Sequence, residues 1–480
     1  MDVKKNIIYN VTYQILILLL PLVTTPYISR VIGAEGIGIY SYNYSIVNYF
    51  MLFALLGLNN YGNRSIAAVR DNKVKLSQTF FNIYGLQVLT SGVMILLYLG
   101  YITCFLSDYR LIAYMQLIFI ISTMLDINWF FFGLEQFKLT VIRNTIVKIL
   151  TVIAIFMFVK KPTDLWIYTI IMSVGTLISQ LMVWPFIKKY IIWVRPNIKG
   201  ILIHLKPNLT LFVPVLAISI YKIMDKIMIG SLTTTLQVGY YENSEKLINI
   251  PLSIITALGT VMLPRMTNLV ANNKSDAFKT YINISLKFVM FIAIGSMVGL
   301  TAIASNFIPL FLGDEFIECI SVVSLLSVTI LFVSWANVIR TQYLIPRQRD
   351  KIYIISTLLG AGINVIANLI FIPSYGAAGA AIGTIFAEAS VAIYQTFKVR
   401  KELDIVKYFM NSLIYIIPAI CMYLCIYALK DFTESTIITL IVQVIIGGCV
   451  YVILTLILLC IVDKDLKKKI RNLSFKFRRE

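Results

Sequence analysis

Apolar runs of about twenty residues recur from one end of the chain to the other, and that feature alone excludes most folds. A hydrocarbon core about 30 Å thick takes about 20 helical residues to cross. Inside it, only segments that satisfy their own backbone hydrogen bonds persist. The chain therefore reads as an all-α, polytopic membrane protein. Composition agrees: 59% of the 480 residues are hydrophobic and 14% are charged, where a soluble domain would carry about 25% charged residues.

Breaks at glycine, proline and charge clusters divide the chain into about fourteen spans. They fall near residues 7–30, 36–58, 77–104, 110–133, 138–159, 164–187, 207–230, 238–263, 281–305, 317–339, 352–372, 376–397, 407–429 and 435–462. The apolar stretch behind MDVKKN runs on without a small-residue cleavage site, so it is expected to be a first spanning helix. The net charge of +19 is distributed by loop. Every second loop is basic, for example around Arg64 and Arg70, Lys188 and Lys189, and Arg347 and Arg349. GAEGIG, SLTTTLQVG, LGDEF and PSYGAAG carry almost no Lys or Arg. Charge placed this way sets membrane orientation rather than nucleic-acid binding, and puts both termini in the cytoplasm. The basic tail, DKDLKKKIRNLSFKFRRE, is expected either to rest on anionic headgroups or to be solvated.

A duplication lies within the spans. GIYSYNYSIVNY (38–49) lines up with GYYENSEKLINI (239–250), and at the same offset NRSIAAVRDNK (63–73) lines up with PRMTNLVANNK (264–274). VGTLISQ (174–180) resembles IGTIFAE (382–388). Two pseudo-symmetric six-helix lobes are expected, at 1–200 and 201–400, with two further helices and the tail in 401–480. Both copies start on the same side, so the repeat axis runs along the membrane normal.

Charges at membrane depth generally face a bundle interior and mark substrate or ion paths. The cations here are Arg143, Lys148, Lys222, Lys226, Lys246 and Lys287, with Arg30 at the outer end of the first span. The anions are Asp126, Asp225, Glu242, Glu245 and Glu388. Lys222, Asp225 and Lys226 share one face of the seventh span, and Glu242, Glu245 and Lys246 repeat that spacing on the eighth. Two readings stand side by side. These groups are ion pairs fastening helices, such as Lys222 with Glu245 or Asp126 with Arg143, or they line a cavity. Nearby tyrosines and Asn43, Asn48, Asn243 and Asn249 suit a cavity that receives phosphate and sugar. Pro21, Pro26 and Pro214 are expected to interrupt matching helices of the two lobes. GAAGAAIG (376–383) reads as a close-packing run. His204, the only histidine, reads as ordinary surface. No metal site is expected from the six cysteines, and no Walker motif is present.

Residues 126–148, DINWFFFGLEQFKLTVIRNTIVK, resemble the signature of the bacterial polysaccharide transporter family. Asp126, Trp129, Gly133, Glu135, Phe137, Lys138, Arg143 and Lys148 match it. ALGTVMLPRMTNL (257–269) and VTTPYISRVIGAEGIGIYSY (23–42) are similar as well. The family belongs to the multidrug/oligosaccharidyl-lipid/polysaccharide exporter superfamily. The resemblance implies a non-enzymatic flippase of the bacterial cytoplasmic membrane. Its expected cargo is an undecaprenyl-pyrophosphate-linked oligosaccharide, carried by alternating access for O-antigen or capsule assembly.

Arg143, Lys148 and Lys287 are expected to receive the pyrophosphate facing inward, and Lys222, Lys226 and Lys246 facing outward. Asp126, Asp225, Glu242, Glu245 and Glu388 are the candidates for a coupling proton or sodium ion, with no other cofactor. Expected partners are the lipid-linked oligosaccharide, membrane lipids, and a polysaccharide polymerase with other assembly proteins. A multidrug or other lipid-linked-precursor exporter, and a non-transporting scaffold of glycan assembly, remain the alternatives.

Overall fold

Gly33 decides how the first two apolar stretches are joined. The computed structural model describes the backbone of residues 3–429 and 437–462. It describes side-chain surroundings for 20–429 and 437–461, apart from residues 137, 214, 217, 221 and 222. A continuous run of hydrogen-bonded helix, α1 (Val3–Leu55), takes in both stretches. Straight, its 53 residues would reach about 80 Å, more than twice the apolar thickness of a bilayer. Gly33 breaks it, with φ 78° and ψ 173°, a conformation that glycine adopts without a Cβ penalty.

The following elements are α2 (Leu58–Val69), α3 (Lys73–Cys104), α4 (Arg110–Met124), α5 (Asn128–Gly133), α6 (Phe137–Phe158), α7 (Leu165–Leu181), α8 (Trp184–Ile187) and α9 (Ile198–Ile203). After them come α10 (Leu205–Leu232), α11 (Thr235–Ala271), α12 (Ser275–Leu312), α13 (Cys319–Val338), α14 (Asp350–Val399), α15 (Ile405–Leu413), α16 (Ile416–Ala428) and α17 (Ile437–Val462). Among the described residues there is no strand, and ten helical stretches are long and apolar enough to cross a membrane. The protein is an all-helical, multi-pass membrane protein.

One of those ten is α14, and it is a hairpin. Gln395 donates to Ser356 Oγ at 2.9 Å although 39 residues separate them, a stretch that would span about 59 Å as a straight helix. The fold-back is at Gly376, where φ is 53°. Behind it the small residues let the arms touch: a Cβ on Gly379 would lie 2.3 Å from the Phe371 carbonyl oxygen. The GAAGAAIG run is thus a close-packing device.

The chain forms two compact units, Met1–Glu242 and Asn243–Glu480. The boundary falls inside α11 because α10 packs on α1 and α2. In the first unit a core of Leu58, Phe80, Trp129, Phe130, Phe131 and Val183 joins α2, α3, α5 and α8's approach. In the second, Met290, Tyr415, Met422 and Tyr451 join α12, α16 and α17. The prolines do not interrupt helices as expected. Pro21 and Pro26 lie within helical geometry, and the break comes at Gly33 instead. α10 is likewise continuous across position 214, whose side chain is outside the described residues. His204 is half-buried rather than surface, with Nδ1 2.6 Å from the Tyr61 hydroxyl.

A charged tie closes the second unit at its Lys/Arg-rich end. The Arg349 guanidinium engages both Glu402 oxygens, at 2.5 and 3.0 Å, Arg347 donates at 3.1 Å, and the Tyr343 hydroxyl adds a further bond. Tyr343 sits on a single π-helical turn, Ile339–Leu344, that follows α13. The Arg349 hydrogen bonds hold the Glu402 carboxyl below the usual range. A depressed folded-state value means stability that is present above the unfolded value, about 4.3, and lost as pH falls through the folded one. Glu402 is about one-third exposed, so solvent weakens the effect. Glu402→Gln is expected to lower unfolding stability by about 1 kcal/mol at pH 7. The difference should vanish below the folded-state carboxyl range, measured by denaturant titration at both pH values. A difference that persists in acid would show that Glu402 acts by packing alone.

Candidate functional site

Between GAEGIG and SLTTTLQVG, α1 and the first turns of α11 cross with no side chain between them. A Cβ built on Gly38 would lie 1.7 Å from the Thr235 carbonyl oxygen and 3.0 Å from the Gly239 nitrogen. One built on Gly239 would lie 2.0 Å from the Ala34 carbonyl oxygen and 3.3 Å from the Gly38 nitrogen. The contact is reciprocal, since Ala34 and Thr235 each stand four residues before the glycine of their own helix. Self-complementary contacts of this kind belong to twofold-related surfaces. Gly38 and Gly239 are also the residues that the sequence repeat pairs.

The next paired positions touch as well. Ser41 Oγ donates to Glu242 Oε2 at 2.8 Å, and Lys226 Nζ on α10 lies 2.6 Å from the same oxygen. Both charged side chains are 17% exposed, sheltered enough for the attraction to exceed that of a surface pair. One residue earlier on each helix, the buried Asp225 accepts the Tyr241 hydroxyl at 2.7 Å. Tyrosines complete the cluster. Tyr40 stacks on Tyr44 and meets the edge of Tyr168, and Tyr42 fills the space beside Gly230, where a Cβ would lie 2.2 Å from its ring.

A second polar cluster is built on the signature stretch. Asp126 accepts the backbone N–H of Asn128 at 2.9 Å, an Asx-type turn that leads into α5. Arg143, on α6 and 5% exposed, donates to Asn128 Oδ1 at 3.0 Å and to Asn144 Oδ1 at 2.7 Å. Ser179 on α7 donates to that Asn144 oxygen, and Asn128 donates to Gln180. Below this, Gln87 of α3 accepts the Trp129 indole N–H at 3.0 Å and donates to the carbonyls of Thr123 and Asp126, each at 2.8 Å.

Of the expected site residues, the structure brings Lys226 to Glu242, Asp225 to Tyr241, and Arg143 into an amide cage near Asp126. Lys148 is half-buried on α6, and Arg30 is exposed near the end of the first arm of α1. Glu245, Lys246, Lys287 and Glu388 are half-buried in the second unit. The Lys222 side chain lies outside the described residues. Sequence reasoning missed Gln87, Asn128, Asn144 and Ser179. The available signal was an amide or hydroxyl set alone in an apolar helix, which demands a buried partner.

The family model for polysaccharide biosynthesis proteins matches residues 3–270. The chain belongs to that family. A Shigella dysenteriae protein named for O-antigen transport is 23% identical over 398 residues, 82% of this chain and 98% of its own. An Escherichia coli protein of the same name is 22% identical over 358 residues, 73% of this chain and 85% of its own. Among solved structures, the lipid II flippase MurJ in its inward closed conformation is similar, with TM-score 0.76 and 18% identity over 95% of this chain and 99% of that one. An inward-facing multidrug resistance MATE transporter of the MOP superfamily follows, with TM-score 0.60 and 12% identity over 81% and 99%. The fold is the MurJ/MATE transporter fold. The protein is a membrane transporter of polysaccharide biosynthesis and not an enzyme.

The crossing makes a sharp prediction. Gly38→Ala and Gly239→Ala each force a methyl group into backbone, an overpacking that costs about 1–3 kcal/mol. Each is expected to lower the melting temperature of the detergent-purified protein, while Gly92→Ala, with open space around it, is not. Unchanged melting of both crossing variants is incompatible with this contact.

Proposed function

We propose that this transporter flips an undecaprenyl-pyrophosphate-linked oligosaccharide from the cytoplasmic to the outer leaflet of the bacterial cytoplasmic membrane by alternating access. The observation that carries the reading is the reciprocal Gly38–Gly239 crossing with its Ser41–Glu242–Lys226 latch. It joins equivalent helices beside loops almost free of Lys and Arg, which the positive-inside rule places outside. A carrier closed at that end opens by breaking the backbone contact and the Ser41–Glu242 hydrogen bond, while Lys226 and Glu242 travel together. The similarity to proteins named for O-antigen transport and to a lipid II flippase supports the substrate class.

Arg143, Lys148 and Lys287 receive the pyrophosphate from the cytoplasmic side. Lys222, Lys226 and Lys246, with Arg30 beyond them, receive it on the outer side. Lys226 is occupied by Glu242 in the closed form. On opening, the phosphate replaces the carboxylate, so the cation is never left bare in a poorly solvated setting. A proton or sodium ion taken up by Glu242, or by Asp126, Asp225, Glu245 or Glu388, resets the carrier. The glycan passes onward to a polymerase and other assembly proteins.

The test is flipping of a fluorescent lipid-linked oligosaccharide in sealed vesicles containing the purified protein. Lys226→Met is expected to slow it by at least about tenfold, the loss of one desolvated charge-assisted contact, at unchanged protein content. Collapsing the proton or the sodium gradient is expected to slow it further. Full flipping by Lys226→Met and Arg143→Ala together would refute the proposed path, and indifference to both gradients would refute the coupling. Extrusion of cationic dyes without glycan movement would assign the protein to drug export.

A further inference from the structure

The second unit contains a cavity of about 1620 Å³ between α12, α13, α14, α15 and α16. Its walls are apolar, with Met290, Leu331, Ile393, Phe397, Phe409 and Ile420 among them. A polar wall atom, Thr396 Oγ1, is already taken by the Trp335 indole N–H at 2.9 Å. One end differs. Arg400, Lys401 and Lys407 stand there with a single carboxylate, Asp404, and the Arg400 guanidinium lies 3.9 Å over the Phe397 ring. These cations belong to a Lys/Arg-rich loop of the kind assigned to the cytoplasmic side.

We infer that this cavity is a binding site for an anionic glycerophospholipid of the cytoplasmic leaflet. Its volume exceeds the roughly 300–1,000 Å³ of ordinary small-molecule pockets and suits long acyl chains. Three cations against one carboxylate leave a net +2, which suits an anionic phosphate headgroup and disfavours a zwitterionic one. The basic residues 463–480 are excluded as occupant because they carry the sign of the rim. The site goes beyond the flipping reaction, and binding rather than flipping is what the test reads.

The delipidated full-length protein is titrated in detergent with phosphatidylglycerol or phosphatidylcholine, and bound lipid is counted by native mass spectrometry. Phosphatidylglycerol is expected to bind at least about tenfold more tightly, since each Lys or Arg contributes on the order of 1 kcal/mol toward an anionic lipid. The triple variant Arg400→Ala, Lys401→Ala, Lys407→Ala is expected to lose that preference. Ile393→Trp with Ile420→Trp, which narrows the cavity from exposed positions and leaves the cations in place, is expected to weaken binding of both lipids. Equal affinity for the two lipids overturns the site, as does undiminished binding to the narrowed variant. Undecaprenyl phosphate that displaces phosphatidylglycerol at a lower concentration overturns the assigned occupant.

Discussion

Two helices touch backbone to backbone at Gly38 and Gly239, and the rest of the cluster around them depends on that closeness. In a bilayer, burying apolar side chains gives helices no advantage over lipid, so association rests on van der Waals contact and polar bonds at short range. With a methyl group at either glycine, the Ala34 and Thr235 carbonyls could not approach as they do. Ser41 would then fall short of Glu242, and Glu242 would turn to Lys226 alone. The hairpin at Gly376 uses the same device, where a Cβ on Gly383 would lie 2.1 Å from Asn368 Oδ1.

The polar groups inside the first unit are answered in two different ways. Near the crossing, a charge answers a charge, as Lys226 meets Glu242. Around Arg143, neutral amides and a hydroxyl do much of the work, drawing α5, α6 and α7 together. Such a network constrains geometry strongly, because every member left unpaired inside the membrane costs about 1–3 kcal/mol. The signature stretch 126–148 is therefore first of all an architectural element. Trp129, Phe130 and Phe131 are fully buried, and Gln87 fastens the broken backbone between α4 and α5.

Membrane helices declare themselves by length and hydropathy, so the all-α, multi-pass architecture was legible throughout. The turns at Gly33 and Gly376 fell where glycine-rich segments without Lys or Arg interrupt apolar runs. The two glycines that the aligned segments 38–49 and 239–250 pair, Gly38 and Gly239, are in contact. Partnerships were harder. Spacing placed Lys222, Lys226, Glu242 and Glu245 on suitable faces, yet helix rotation and crossing depth decide which of them meet, and periodicity carries neither. Among the described side chains, the pair these faces form is Lys226 with Glu242; the suggested partner Lys222 lies outside the described side chains. Prolines misled for a related reason: a helix in a protein-lined setting can tolerate a missing N–H, whereas positive φ at Gly33 ends it.

A latch in a carrier must be strong enough to hold and weak enough to release. Shifting a two-state equilibrium from 1:99 to 99:1 takes about 5.5 kcal/mol of differential binding. Breaking a buried pair by removing one partner costs about 3–5 kcal/mol, which would consume most of it. Exchange avoids that cost. If a phosphate oxygen takes the place of Glu242 on Lys226 as the glycines separate, the cation keeps an anion throughout, and the displaced carboxylate can accept a proton. The energy that remains to be supplied is then the Ser41–Glu242 hydrogen bond and the van der Waals contact of the crossing. That contact is short-ranged, and a gap of about 0.5–1 Å already forfeits a quarter to a half of it. A gate of this construction closes firmly without a deep energetic trap, which is what a reversible carrier of a bulky, charged headgroup requires.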